Sequence, residues 1–246
     1  MARLLLSMLA GAASALALSA TGCAADPGTE EVAADAPSAL GADAYRIYAD
    51  LATEGGGAPA HGTVTVLGLR GLSAAGDAHA TKYVRAFDDT LVVLRADGTV
   101  ARFAASTHPF ELAGVPGVPD ADGDGVADVG MIRPGVYDVA GRDRTIAGAA
   151  SYAVTQHGSG KLPGWRDTDH DGVLSDRERA ASERRGDGIT DVLFHQGEGD
   201  APPAVGCQVL PANAIRAFTT AVGGPRARFR YVLLDMTGRD AASLPR

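Results

Sequence analysis

The chain is predicted to be mainly β with a few helices, a β-sandwich or barrel that carries acidic loop insertions. Three observations predict this. Short runs rich in Val, Leu, Thr and aromatic residues recur between residues 63 and 234. Gly and Asp-Gly turn signals separate many of them. Only three segments read as helices.

The first such segment is 43–53, where Ala44, Ile47, Tyr48 and Leu51 share one helical face and Gly55, Gly56 and Gly57 end the run. Residues 63–69 then read as a strand. Residues 90–95 and 99–104 flank Asp97-Gly98, a strong hairpin signal. Shorter strands are expected at 136–139 and 151–154. The alternation at 189–195 predicts another, and 228–234 a closing one. Residues 175–185 read as a helix, as do residues 212–222, which lie between Pro211 and Gly223-Gly224. Lys161, Leu162, Pro163, Gly164 and Trp165 are a poor helix.

The N-terminus is organised differently. Met1, Ala2 and Arg3 make a short positive start, residues 4–20 carry no charge, and the run ends in Ala20-Thr21-Gly22-Cys23. A basic start, an apolar stretch and small residues at the cut are the parts of a secretory leader. A cysteine directly after them resembles a lipobox, the lipidation signal of bacterial lipoproteins, with Ala20 where Leu is usual. The leader therefore spans 1–22, and Cys23 is the expected lipidation site and membrane anchor. Residues 23–40 form a flexible tether rich in Ala, Asp, Glu and Pro. Residues 41–246 make the folded domain. The expected location is the extracytoplasmic side of the cell envelope. Ala24 follows Cys23 where some bacteria use Asp for inner-membrane retention, so an outer-membrane position is allowed.

Hydrophobic content of 46% is enough for a core. Net charge is −8 with no basic cluster, which argues against a nucleic-acid partner. No phosphate-binding glycine loop, zinc motif or paired-carboxylate glycosidase pattern occurs, and no organic cofactor is expected.

Two acidic loops stand out. In residues 167–178, Asp167, Asp169 and Asp171 occupy positions 1, 3 and 5 of the twelve-residue EF-hand loop, with Gly172 at the turn. Val173 offers a backbone carbonyl, Ser175 a direct or water-mediated contact, and Glu178 a bidentate carboxylate. Calcium, a hard cation with 6–8 oxygen ligands, fits this set. The preceding segment is a poor helix, so the loop is expected to lead into one helix and to clip the fold structurally. Residues 120–131 repeat the start of the pattern with Asp120, Asp122, Asp124 and Asp128, but position 12 is Met131. His170 inside the second loop reads as a solvated side chain.

Cysteine usage directs attention to the other end of the chain. There are two cysteines, Cys23 and Cys207, and lipidation of the first leaves the second unpaired. Cys207 is then either a reactive thiol or an inert core residue. His195 lies at a strand end upstream, and Gly206 precedes the thiol. Imidazole can take a thiol proton, and backbone amides beside Cys207 can hold an oxyanion. A cysteine hydrolase or acyltransferase is compatible with this set.

These residues resemble the catalytic end of the L,D-transpeptidases of the YkuD type. His195 matches their upstream histidine and Gly206-Cys207 their Gly-Cys. The likeness is closer to a divergent branch with a Gly-Cys-Gln block, as in Gly206-Cys207-Gln208, and an acidic loop after Trp-Arg, as at Trp165-Arg166. Asp88-Asp89-Thr90, Ala105-Ser106-Thr107 and Arg133-Pro134-Gly135-Val136-Tyr137 are similar to the family's body. The chain departs from the pattern at Val205, usually His, at Gln208, usually Arg, and at Gln196, usually Gly or Ser. The resemblance implies a YkuD-like β-sandwich and peptidoglycan stem peptides as substrate. Cys207 would be the nucleophile, forming a thioester, and His195 the base. Gln208 and His157 would lie at the substrate, His157 equally well in a surface loop. An amine acceptor gives a cross-link, and water gives a carboxypeptidase or hydrolase. The competing reading is a non-catalytic, calcium-stabilised envelope lipoprotein.

Overall fold

The computed structural model describes residues 41–80, 86–109, 117–197, 206–240 and 244–245. The expected leader, Cys23, the tether and Val205 lie outside these residues. The first predicted helix forms as α1 (Ala42–Glu54), burying Ala44, Tyr48 and Ala52 four residues apart, as one helix face requires. Strand β1 (Thr65–Arg70) follows, then β2 (Asp89–Leu94) and β3 (Val100–Ala105), paired antiparallel in that order. The Asp97-Gly98 signal marks the β2–β3 hairpin, where Asp97 Oδ1 accepts from Thr99 N at 2.9 Å.

The remaining strands of the main sheet are β5 (Gly135–Gly141), β6 (Tyr152–Thr155), β9 (Leu193–Gln196), β10 (Gln208–Leu210) and β11 (Arg228–Asp235). Their spatial order is β10-β9-β6-β5-β11-β1-β2-β3. Most pairs are antiparallel, but β1–β11 and β9–β10 are parallel. Ser106, just past β3, exchanges two backbone hydrogen bonds of 2.8 Å with Val209 of β10. That bridge links the first and last strands and nearly closes the eight-stranded sheet into a barrel.

Period-two alternation assigns the two faces. Val66, Leu91, Val93, Phe103, Phe194, Tyr231 and Leu233 point inward to the larger core. Leu67, Leu69, Val92, Leu94, Val232 and Leu234 point outward and are covered by Tyr48 and Ala52 of α1. Helix α3 (Ile215–Val222) packs into the inner core through Ile215, Phe218, Ala221 and Val222. Phe218 stacks on Phe194 at 5.7 Å and meets Phe103, Tyr152 and Phe229 edge-on.

A smaller sheet carries the acidic loops. Strands β4 (Gly130–Ile132), β7 (Leu162–Arg166) and β8 (Gly188–Ile189) lie in the order β4-β7-β8. Helix α2 (Asp176–Arg185) follows the second loop. As expected, residues 161–165 form no helix; the segment becomes strand β7, because Met131 and Ile132 on one side and Ile189 on the other supply backbone partners. Two expectations shift here. The strand expected at 189–195 is two, β8 and β9, broken at Asp191, whose φ of +56° leaves the extended region. Helix α3 starts at Ile215 and not at 212, since Ala214 N closes a turn onto the Pro211 carbonyl. Among the described residues no helix is long and apolar enough to cross a membrane.

Candidate active site and acidic loops

Cys207 immediately precedes β10, and His195 sits in β9 beside it. The parallel register sets Val209 against His195 and Gln208 against Phe194. Aligned residues of neighbouring strands share a face, so His195, Val209 and, one step earlier, Cys207 all face away from the Phe194 side. Cys207, which just precedes β10, is therefore a diagonal neighbour of His195 on the adjacent strand. Both lie on the outer barrel face. In this structure no hydrogen bond joins them. The sulfur instead leans to the Asp191 carbonyl at 3.8 Å.

His195 is only 5% exposed, and its Nδ1 lies 2.8 Å from the Gln196 carbonyl. A carbonyl only accepts, so Nδ1 carries the proton, and neutral imidazole then presents Nε2 as its basic atom. Burial lowers the His195 pKa, against the opposing effect of the Gln196 carbonyl. Burial also raises the Cys207 pKa, with a contact to the Leu193 backbone working the other way and Asp191 adding to the rise. The resting state is thus a neutral thiol beside a neutral imidazole.

Gly206 has a φ of +112°, and a β-carbon there would sit 2.8 Å from the Gly130 carbonyl of β4. Glycine alone fits this close crossing. Gln208, expected at the substrate, is fully buried inside the barrel. Tyr231 donates to its Oε1 at 2.6 Å, and its Nε2 donates to the Gly206 carbonyl at 3.3 Å. Gln208 therefore supports the Gly206-Cys207 turn from within, because strand alternation sends residue 208 inward when 207 faces out. His157 occupies an exposed hairpin tip with a φ of +50°. No contact joins it to Cys207 among the described residues.

In the second acidic loop, one oxygen each of Asp167, Asp169 and Glu178 lie within 4.8 Å of one another. Asp171 Oδ1 accepts from Val173 N at 2.7 Å, and the Val173 side chain is exposed. Ser175 caps α2: its hydroxyl accepts from Glu178 N at 3.3 Å and donates to Glu178 Oε2 at 2.7 Å. In the first loop Asp120, Asp122 and Asp128 converge similarly, while Asp124 Oδ1 accepts from Val126 N. His170 is not simply solvated. Its Nε2 meets Asp128 Oδ1 at 2.8 Å, linking the two loops.

Sequence reading missed a polar corner at the barrel seam. His108 Nε2 lies 2.9 Å from Asp88 Oδ1, and His79 Nε2 lies 2.6 Å from the Asp88 carbonyl. Buried Asp89 accepts from Gly71 N, Thr107 N and the Thr107 hydroxyl at 2.7–2.8 Å. Arg70, fully buried, donates to Thr107 and to the Ile132 carbonyl. No local spacing announces this cluster, since its members come from four separate segments, 70–71, 79, 88–89 and 107–108.

The described residues thus define a class: a nearly closed barrel with a cysteine–histidine pair on its outer face and an acidic-loop sheet against the cysteine turn. No protein-family model matches the chain, and no curated protein matches it. Among solved structures it has a weak likeness to the helical cell shape determining protein Pgp2 from Campylobacter jejuni, with 15% identity and a TM-score of 0.32. The match covers 70% of this chain but only 48% of that protein, so the chain spans less than half its length.

Proposed function

We propose that the chain is an envelope-anchored cysteine acyltransferase of the L,D-transpeptidase type, acting on peptidoglycan stem peptides. One observation carries the reading. Cys207 and His195 share an exterior barrel face, with Nδ1 tied to the Gln196 carbonyl so that Nε2 is the base. The Gly206-Cys207 match, the upstream histidine and the expected leader at 1–22, followed by Cys23, support the substrate and location.

The chemistry follows from the neutral pair. The reaction requires Sγ to leave the Asp191 carbonyl for Nε2, and catalytic hydrogen bonds often tighten only when substrate binds. Nε2 takes the thiol proton as Sγ attacks the amide carbon of a donor stem. Backbone amides beside Cys207 are the proposed donors to the developing oxyanion. Collapse breaks the C–N bond, and imidazolium gives its proton to the leaving amine, leaving a thioester on Cys207. An amine of a second stem then attacks the thioester, and the thiol is regenerated. Water in that role trims the stem.

The test is incubation of the purified chain with muropeptides, followed by mass spectrometry. A cross-linked or trimmed product and an acyl adduct on Cys207 are expected. Cys207→Ala should abolish both, and His195→Gln should slow turnover by about 10²–10⁴-fold. Wild-type protein that yields neither product nor adduct sinks the enzymatic reading. A second reading, a non-catalytic envelope scaffold, is favoured by the unformed sulfur–imidazole contact and the raised thiol pKa. That same outcome would establish it.

A further inference from the structure

We propose that residues 167–178 hold one calcium ion, and that this ion clamps the small sheet on which the Cys207 turn rests. The first part stands on the loop alone; the second rests on Cys207 being the working group.

Three carboxylates converge at the loop: one oxygen each from Asp167, Asp169 and Glu178 lie within 4.8 Å of one another. Like charges this close repel, and a cation between them relieves that repulsion. Acidic clusters alone are common, but Asp167 adds an independent signal. It is fully buried, Oδ2 accepts from Gly172 N at 3.0 Å, and Oδ1 has no hydrogen-bond partner. Buried polar atoms are nearly always paired, so an orphaned carboxylate oxygen inside an acidic cluster points to a missing positive ligand. Glu178 is held ready by donors from Thr168, Asp169 and Ser175. Gly172 takes the required left-handed turn at φ +81°. An all-oxygen donor set of this spacing suits calcium. In the first loop both Asp128 oxygens are engaged, by Ala121 N and His170, so that loop lacks the orphan.

The clamp follows from what Asp167 joins. Its backbone N donates to the Val129 carbonyl at 3.0 Å, and Arg166 donates to the Asp128 and Gly188 carbonyls at 2.9 and 2.7 Å. These bonds fasten β7 to β4 and β8. Gly130 of β4 then meets Gly206 so closely that a β-carbon has no room. A short chain of rigid contacts therefore runs from the ion to the residue before the thiol.

Terbium luminescence excited through Trp165, the single tryptophan and two residues from Asp167, reports the site directly. The full chain, stripped with chelator, should bind terbium at one saturable site displaced by calcium at roughly 10⁻⁴–10⁻³ M or tighter. Asp167→Asn should abolish this signal. Asp169→Asn, at an exposed position that tolerates change, should weaken it at least tenfold. Absence of saturable terbium or calcium binding by the wild type would overturn the site. For the clamp, Cys207 alkylation is followed by peptide mapping, with calcium and with chelator. Chelation should speed labelling at least threefold, and an unchanged rate overturns the clamp. Calcium binding without any muropeptide turnover would remove the enzymatic reading and leave the ion site standing.

Discussion

At the scale of single residues, burial sets the chemistry of the candidate pair. It holds His195 below the ordinary imidazole value of 6.5 and Cys207 above the ordinary thiol value of 9.0. The signs agree: lowered imidazole and raised thiol both favour the neutral forms across that window. Turnover should therefore rise with pH along an acid limb below 6.5, as His195 loses its proton, and then stay level toward 9.0. Iodoacetamide labelling of Cys207 should instead keep climbing past 9.0, with no plateau near neutrality. A labelling midpoint near or below 7 would indicate a resting thiolate–imidazolium pair and contradict this picture. Residue types in the sequence pointed to Cys207, His195 and Gly206. They did not reveal that Gln208 turns inward, because its partner Tyr231 lies 23 positions away.

Among the elements, α2 shows how local chemistry can be read directly from sequence. Ser175 and Glu178 form a capping box, Asp176 and Glu178 sit in the first turn, Arg184 and Arg185 in the last, and Gly186 closes the helix in the left-handed region. Ser175→Ala should cost about 1 kcal/mol of stability, measured by urea unfolding in chelator so that metal binding does not contribute. A change within error would mean that the cap adds nothing beyond the packing of Ser182 and Glu178. Strand β7 shows the opposite case. Leu162, Pro163 and Gly164 have weak strand preference, and only pairing with β4 and β8 makes the segment extended. Likewise the break at Asp191, which sends β8 and β9 into different sheets, follows no periodic signal in residues 189–195.

For the whole molecule, the decisive feature is the nearly closed sheet filled by α3. Phe218 is fully buried and touches four aromatic rings from four different strands, β3, β6, β9 and β11. Phe218→Ala should destabilise the fold by about 3–5 kcal/mol, read from the shift in the urea midpoint at constant slope. A loss below 1 kcal/mol would mean that the interior collapses around the cavity and that α3 is not the plug described. The β-dominated class, the three helices, the hairpin at Asp97-Gly98 and the spacing of the acidic loops were legible in the residues alone, since each rests on near neighbours and a local period. The strand order, the Ser106–Val209 seam, the polar corner of Asp89, Arg70 and Thr107, and the neighbouring placement of Cys207 and His195 emerge only in the folded chain. Those depend on register between segments far apart in the chain, and a shift of one residue would have sent every side chain of a strand to the other face.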